Sequence, residues 1–186
     1  MDKKELILQK ASVLFAEKGY YGLGLSELLG RCEIPKGSFY YYFPDGKIQL
    51  IQEVLEYSYR KMAYGITHRM LICPTALASF ERMVDRLADG FEHKHSFASL
   101  LMSMIAIESV YLDARVQATC ERIYREWQQL YIGFLMQHGF DEEESVVKAQ
   151  TIFAMVHGSL ISSWIKRSPD DLLTVKKVFP AILGDR

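Results

Sequence analysis

Residues 25–43, LSELLGRCEIPKGSFYYYF, decide the fold predicted for this chain. In their first part, leucines and a cysteine recur at the three- and four-residue spacing that places side chains on one face of a helix. The segment 33–35, Glu-Ile-Pro, interrupts this pattern, and Pro35 suits the start of a following helix because its missing N–H costs no hydrogen bond there. Two short helices joined by such a turn form a helix-turn-helix, whose second helix fits the major groove of DNA.

The second helix, 36–42, carries side chains suited to reading DNA. Lys36 can donate to guanine O6 and N7, Gly37 allows close approach of the backbone, and Ser38 can bond a base or a phosphate. Successive tyrosines at 40–42 point in different directions on a helix, so at least one hydroxyl faces outward, where it can bind a phosphate. The alternative is that the aromatic run 39–43 only fills a core.

The rest of the chain is also predicted to be helical. Apolar residues recur at helical spacing along almost the whole sequence, and no stretch shows the alternation of a half-buried strand. We therefore predict an all-α protein of about nine helices. The first helix should end at Gly19, and the fourth should begin near Lys47. The last, over 170–183, contains Pro180, which is expected to kink or shorten it.

The composition limits the class of protein. The chain has 186 residues, 49% hydrophobic and 24% charged, as in an ordinary folded protein, with a net charge of −1. Residues 1–47 carry seven basic and six acidic side chains, so DNA binding depends on where particular residues lie and not on overall basicity. Three cysteines without a CxxC pair or a histidine at ligand spacing predict neither disulfides nor a metal site. Without a signal-peptide pattern or an apolar run of about 20 residues, we expect a cytoplasmic protein that does not associate with membranes.

An enzyme and a plain interaction module are the competing classes. A small helical hydrolase or deaminase would need a placed nucleophile, base or metal cluster, and the sequence holds no GxSxG, HExxH or glycine-rich phosphate loop. We therefore expect neither catalysis nor a cofactor. A helical interaction module without DNA binding would leave the exposed KGSFYYY segment unexplained.

The segment 10–50, KASVLFAEKGYYGLGLSELLGRCEIPKGSFYYYFPDGKIQL, resembles the DNA-binding region of the TetR family of ligand-responsive transcriptional repressors. The first-helix pattern A-x-x-L-F-A-E-K-G-Y and the recognition-helix pattern K-G-S-F-Y-Y-x-F stand in the family's order and separation. The resemblance implies a DNA-binding domain over 1–47 and a ligand-sensing and dimerisation domain over 48–186. It also implies two groups of DNA contacts, major-groove residues Ser26, Lys36, Gly37, Ser38 and Tyr40, and phosphate-holding residues Tyr41, Tyr42 and Lys47.

The match extends further along the chain, with some departures. The IPKGS and FPDGK segments resemble the corresponding segments of a subgroup that includes efflux-gene and flavonoid-responsive repressors. The spacing between 112–115, Trp127 and 157–159 is also similar to the spacing in that subgroup. Glu33 stands where the family usually has the turn glycine, which strains the backbone if φ is positive there. Gly24 replaces a usual Ser or Thr cap, and Tyr42 replaces a common His.

The C-terminal helices are predicted to sense a small molecule. Several of the eight methionines lie within these helices and suit a pocket that adapts its shape to apolar ligands, although gap-filling in the core is an open alternative. An aromatic side chain or a histidine here can also be purely structural. The candidate contacts for an apolar, aromatic inducer are Met62, Phe91, Met104, Trp127, Phe153 and His157.

Dimerisation is predicted from the last helices. The eighth helix has two apolar or small faces, so one can serve its own core and the other a partner. The resemblance implies that this helix and the last pair with their symmetry mates in a homodimer, whereas the alternative is a monomer with a thick core. The candidate interface residues are Ile152, Ser159, Ser163, Trp164 and Phe179.

Taken together, the expected DNA-binding, ligand-sensing and dimer-forming regions describe a repressor that an inducer releases from a palindromic operator. An activator of the same fold is the alternative.

Overall fold

The computed structural model describes residues 2–70, 72–93 and 97–184, and within them every side chain except those of 69–70, 91–93 and 97–100. These residues form ten helices. In chain order they are α1 (Lys3–Gly22), α2 (Leu25–Cys32), α3 (Lys36–Tyr42), α4 (Gly46–Met70), α5 (Ala76–His93), α6 (Phe97–Ser109), α7 (Ala114–Gln137), α8 (Glu142–Lys166), α9 (Asp170–Lys176) and α10 (Phe179–Leu183). In the part of the chain so described, no helix is both long and apolar enough to cross a lipid bilayer.

The all-α class predicted from the sequence is confirmed. The helix-turn-helix has the expected bounds, since α2 begins directly after Gly24 and α3 directly after Pro35. The single helix expected over 170–183 is two helices. The chain closes α9 with short-range bonds, one of them from the Val178 N–H to the Val175 carbonyl at 3.0 Å. Pro180 then lies in the first turn of α10, where its missing N–H costs nothing.

The chain divides into two compact units. The first comprises Met1–Lys61 and Phe97–Ile123, and the second comprises Met62–Ser96 and Tyr124–Arg186. The divisions fall inside α4 and α7, so each of these helices contributes residues to both units. The functional boundary at residue 47 stays a prediction.

In the first unit, α1 packs along α6 and against α2. Phe15 of α1 and Phe39 of α3 are completely buried, as is Ile105 of α6. The other helices of this unit contribute further buried apolar side chains, among them Leu28, Leu50, Ile51, Val54, Val116 and Ile123. Burial of this apolar surface stabilises the two short helices α2 and α3 against the longer helices of the first unit.

Gly19 interrupts α1. Its φ of 68° and ψ of −179° lie outside the helical region, and the helix continues for only one short turn, to Gly22. A φ of this sign favours glycine because a side chain there would be strained. The predicted end of the helix at Gly19 therefore marks the end of its regular part.

In the second unit, Phe80 of α5 lies at the centre of an aromatic core. Its ring centroid is 5.2 Å from that of Tyr131, 5.8 Å from that of Phe134 and 6.1 Å from that of Phe179. All three contacts are edge-to-face, the arrangement that aromatic rings prefer. Helices α9 and α10 both pack against α5 and α8.

Candidate functional site

The helix α3 is anchored by aromatic side chains on one side only. Phe39 and Phe43 are completely buried, and their ring centroids lie 5.5 Å apart. On the other side, Tyr40 is 41% exposed and Tyr41 is 79% exposed. The aromatic run therefore serves both the core and the surface, and the alternative of a purely internal cluster does not hold for Tyr41.

Most of the predicted DNA contacts lie on the open surface of α2 and α3. Ser26, Lys36, Gly37, Tyr40 and Tyr41 are exposed, and Ser38 and Tyr42 are half-buried. Apart from the backbone of α3 itself, a Cβ added to Gly37 would meet none of the described atoms within 4 Å, so the backbone of α3 is accessible at this point. An ammonium, several hydroxyls and bare backbone are the groups that bind bases and phosphates in protein–DNA complexes. The contacts themselves stay predictions.

The turn before α3 holds Glu33 in the left-handed conformation, with φ 56° and ψ 44°. Its N–H donates to the Gly30 carbonyl at 3.2 Å, and the Ile34 N–H donates to the Leu29 carbonyl at 3.1 Å, which closes α2. The Glu33 carboxylate accepts from Lys10 Nζ at 2.9 Å, and this hydrogen bond lowers the pKa of the carboxyl. The positive φ considered from the sequence is therefore present at a residue other than glycine.

Salt bridges occupy several cations of residues 1–47. Three lysines are paired with carboxylates, Lys4 with Glu53, Lys10 with Glu33 and Lys18 with Glu27, at 2.6, 2.9 and 2.6 Å. Among the described residues, no carboxylate pairs with Lys3, Arg31 or Lys36. The positive charge available to phosphates is therefore smaller than the count of basic residues suggests.

Lys47, near the start of α4, is partly buried against α1. Its Nζ donates to the Tyr20 carbonyl oxygen and lies 4.0 Å from the centre of the Tyr20 ring. Burial lowers the pKa of Lys47, and the charge of Glu108 opposes this effect. The phosphate contact expected for Lys47 stays a prediction, and in the free protein its ammonium already has an internal partner.

In the second unit, three of the predicted ligand contacts lie together. The His157 ring centroid is 4.7 Å from that of Trp127 and 4.0 Å from that of Phe153. Tyr124, which was not among the predicted contacts, joins this cluster with its ring centroid 5.4 Å from that of Phe153. It precedes Trp127 by three residues, and that helical spacing could have identified it. We call Tyr124, Trp127, Phe153 and His157 the aromatic cluster.

Two buried nitrogen atoms of the aromatic cluster, Trp127 Nε1 and His157 Nε2, have no hydrogen-bond partner within the described residues. His157 Nδ1 lies 2.9 Å from the Phe153 carbonyl oxygen, so in the neutral ring Nδ1 carries the proton and Nε2 is an acceptor. Burial lowers the pKa of His157 and so favours this neutral ring. The indole of Trp127 can only donate. It lies close enough to the Tyr131 hydroxyl to oppose the rise that burial causes in the Tyr131 pKa, without meeting hydrogen-bond geometry. That hydroxyl donates to Met83 Sδ at 3.0 Å, and its oxygen can still accept from the Trp127 N–H.

The other predicted ligand contacts are dispersed along the chain. Met62 is half-buried on α4 in the second unit, and Met104 is half-buried on α6, which belongs to the first unit. The side chain of Phe91 lies outside those that the structure describes. All three roles stay predictions.

The residues predicted for a dimer interface are mostly covered by the chain itself. Ile152, Ser159, Ser163 and Phe179 are buried, and Trp164 is half-buried. The prediction therefore selected a face of α8 that packs on its own unit. The outward face carries a different set, Val147, Thr151, Ala154, Gly158, Ile161 and Ile165, all exposed. These residues are small or apolar and are spaced alternately four and three apart, as along one side of a helix.

Two protein-family models match the chain, one over the helix-turn-helix and the other over the C-terminal helices. The family model described as "Bacterial regulatory proteins, tetR family" matches residues 7–54, and the model described as "Transcriptional regulator LmrA/YxaF-like, C-terminal domain" matches residues 76–178. The HTH-type transcriptional regulator LmrA of Bacillus subtilis (strain 168) is 29% identical over 182 residues, which cover 98% of this chain and 97% of LmrA. The HTH-type transcriptional regulator YxaF of the same organism is 26% identical over 182 residues, which cover 98% of this chain and 95% of YxaF.

The fold is also that of solved regulator structures. The crystal structure of E. coli NemR in its reduced form superposes with a TM-score of 0.89 at 22% identity, covering 100% of this chain and 99% of that one. Since one family model covers the helix-turn-helix and the other more than half of the chain, the chain belongs to the TetR family of bacterial transcriptional regulators.

Proposed function

We propose that this regulator is a repressor that binds a palindromic operator as a homodimer and leaves it when a small aromatic ligand binds to the second unit. The observation that carries the proposal is the open side of α3, where Lys36, Gly37 and Tyr41 are exposed while Phe39 and Phe43 anchor the helix from behind. Family membership supports DNA binding and regulation. Repression, the dimer and ligand release are what the proposal adds.

On DNA, Lys36 and Ser38 at the start of α3 would read base edges, and Tyr41 would hold a phosphate. Gly37 provides a sharp test because a side chain there meets only open space in the free protein. Gly37→Glu should leave the fold intact but place a carboxylate where the duplex must approach, and we expect it to abolish binding. Gly30→Glu is the matched control, since Gly30 is also helical, exposed and free of neighbours within 4 Å but lies outside the proposed contact surface.

The experiment is a selection of duplexes from genomic fragments with the purified protein. We expect a palindrome whose half-sites are about one helical turn apart, because two symmetry-related α3 helices enter successive major grooves. The Gly30→Glu variant should select the same sequence, and Gly37→Glu should select none. Recovery of an unrelated set of fragments, or equal recovery by both variants, would contradict the proposal.

We assign the homodimer contact to the outward face of α8. Its alternating four- and three-residue spacing is that of a helix that packs against another, and the small residues Ala154 and Gly158 allow close approach of a second helix. Ile161→Arg would place a charge in the middle of this contact, and we expect a monomer with unchanged helical circular dichroism. Ile107→Arg is the control, since Ile107 is exposed on α6. Sedimentation that shows the same mass for both variants would rule out this interface.

The aromatic cluster supports a ligand that combines a ring with a polar group. Within the described residues no donor reaches the buried acceptor His157 Nε2, and a ligand hydroxyl can supply one. Leaving buried polar groups unsatisfied is costly, so a ligand hydroxyl gains affinity over a ligand without one. 2-Naphthol and naphthalene form a matched pair of probes that differ only in this group.

Fluorescence of Trp127 can report binding, because Trp164→Phe leaves Trp127 as the single tryptophan. We expect 2-naphthol to bind about twofold to tenfold more tightly than naphthalene, the range that one net hydrogen bond gives. A probe that releases operator must bind the DNA-free protein more tightly, and by linkage saturating operator must weaken its binding by the same factor. Equal affinities for the two probes would contradict the proposed polar contact, and equal affinity with and without operator would show that the probe is not an inducer.

A further inference from the structure

After the interruption of α1 at Gly19, the backbone N–H and C=O of Tyr20 are bound by two oppositely charged side chains. Because Gly19 departs from helical geometry, the Tyr20 N–H donates to Glu108 Oε2 of α6, at 2.7 Å. The Tyr20 carbonyl oxygen accepts from the ammonium of Lys47 of α4. All four residues belong to the first unit. Hydrogen bonds to charged groups are stronger than those between neutral groups, so this residue is held from two directions.

Glu108 also fits closely against Gly19. A Cβ added at Gly19 would lie 2.5 Å from Glu108 Oε1, nearer than real Cβ atoms approach their neighbours. Beside this contact, the Tyr21 hydroxyl donates to the Tyr111 carbonyl oxygen at 2.7 Å, just beyond the end of α6. The last turn of α1 is therefore bound to the end of α6 by a carboxylate and by a tyrosine hydroxyl.

The direction of this turn matters because it leads directly into the helix-turn-helix. Only Leu23 and Gly24 separate the end of α1 from α2, and Leu23 is completely buried. A change in the orientation of the Tyr20 peptide would therefore change where α2 starts. Since α2 and α3 are joined by a closed turn, the surface offered to DNA would move with them.

We propose that Glu108 is a positioning residue for DNA binding, whose carboxylate fixes the last turn of α1 and thereby the orientation in which α2 and α3 meet the duplex. The inference rests on DNA binding by α3 but on neither the dimer nor the ligand of the proposed function. It assigns Glu108 no contact with DNA.

The test compares variants on a duplex that the wild-type protein selects from a random-sequence pool. Glu108→Ala removes the acceptor of the Tyr20 N–H, and we expect about tenfold weaker binding, or about 1.4 kcal/mol, at a temperature where circular dichroism shows the variant to be folded. Glu108→Gln keeps an acceptor oxygen and should restore most of the affinity. Hydrogen exchange at the Tyr20 amide should be faster in Glu108→Ala and near the wild-type rate in Glu108→Gln.

Glu56→Gln is the matched control, because it breaks the ion pair between Glu56 of α4 and Arg122 of α7 in the same unit without touching the Tyr20 peptide. It should lower Tm while leaving DNA affinity unchanged. If Glu108→Ala does not fold, Glu108→Asp replaces it, since the shorter side chain keeps the charge but cannot reach the Tyr20 N–H, and the same loss is expected. A folded Ala or Asp variant with wild-type affinity would overturn the inference alone, whereas a wild-type protein that selects no duplex would overturn DNA binding together with it.

Discussion

The salt dependence of DNA binding should reveal which cations meet phosphates. Each phosphate that a cation neutralises contributes about −0.9 to the slope of log K against log salt. Lys3, Arg31 and Lys36 are the cations of residues 1–47 that neither pair with a carboxylate nor bond a carbonyl within the described part of the chain. Because Lys36 is assigned to base edges, a dimer that places Lys3 and Arg31 against phosphates would make about four such contacts, which gives a slope of about −3.6.

Lys47→Met tests whether Lys47 adds to this number. Because its ammonium already bonds the Tyr20 carbonyl oxygen, we expect the variant to bind more weakly at every salt concentration with an unchanged slope. If Lys47 instead held a phosphate in each half-site, the loss of two cations would flatten the slope by about 1.8.

The assay is fluorescence anisotropy of a labelled operator duplex, titrated at salt concentrations from about 50 to about 200 mM. Lys177→Met is the control, since Lys177 is exposed at the end of α9 and should change neither affinity nor slope. A slope flatter by nearly two units in Lys47→Met, with Lys177→Met unchanged, would refute the internal role that we assign to Lys47.

Four further predictions follow from the same structure. Lys36→Ala should relax base preference in a duplex selection more than it lowers total binding, whereas Tyr41→Phe should weaken binding to all duplexes alike in anisotropy titrations. Asp141 caps α8 by accepting from the Glu144 N–H at 2.8 Å, so Asp141→Ala should lower the free energy of unfolding by about 1 kcal/mol and Tm by about 2–4 °C, while Asp141→Asn should lose less in calorimetry. Burial lowers the pKa of His157 in the folded chain, so below its ordinary value of 6.5 the unfolded chain takes up a proton that the folded chain does not, and stability should fall as pH falls. Melting curves should show this loss in the wild type and a smaller one in His157→Phe; equal losses would assign it to other groups.

Local sequence signals predicted the helix-turn-helix well. Pro35 marks the start of α3 because its fixed φ and missing N–H suit a helix start, and Gly19 marks the end of the regular part of α1 because its φ is positive. Gly24 precedes α2 as expected, in an extended conformation open to any residue. Pro180 was expected to disturb the last helix, but the sequence alone did not show that the chain would divide there into two helices. That outcome depends on how α9 and α10 pack on α5 and α8.

Predictions about side-chain partners were less successful, for a physical reason. Both faces of α8 that the sequence offered as core or interface proved to be inside, because a helix packed against several neighbours buries more than one stripe. Its outward face contains Thr151, Ala154 and Gly158, which no hydropathy pattern singles out. The phosphate contact of Lys47 stays a prediction, but the bond from its ammonium to the Tyr20 carbonyl joins residues distant in sequence, and such a partner is not apparent from the sequence.

The first unit is discontinuous in sequence, and this affects how the gene can be recombined. A crossover near residue 47 would join α1 to α3 of one parent with α6 and the first half of α7 of another, although both segments build one unit. The residue at position 108 would then come from a different parent than the residue at position 19. Because Glu108 leaves no room for a Cβ at position 19, a parent with a side chain at that position would clash with it. Hybrid regulators that exchange DNA specificity should therefore work best when Gly19 and Glu108 are inherited together, which a library of crossovers scored for operator binding can measure.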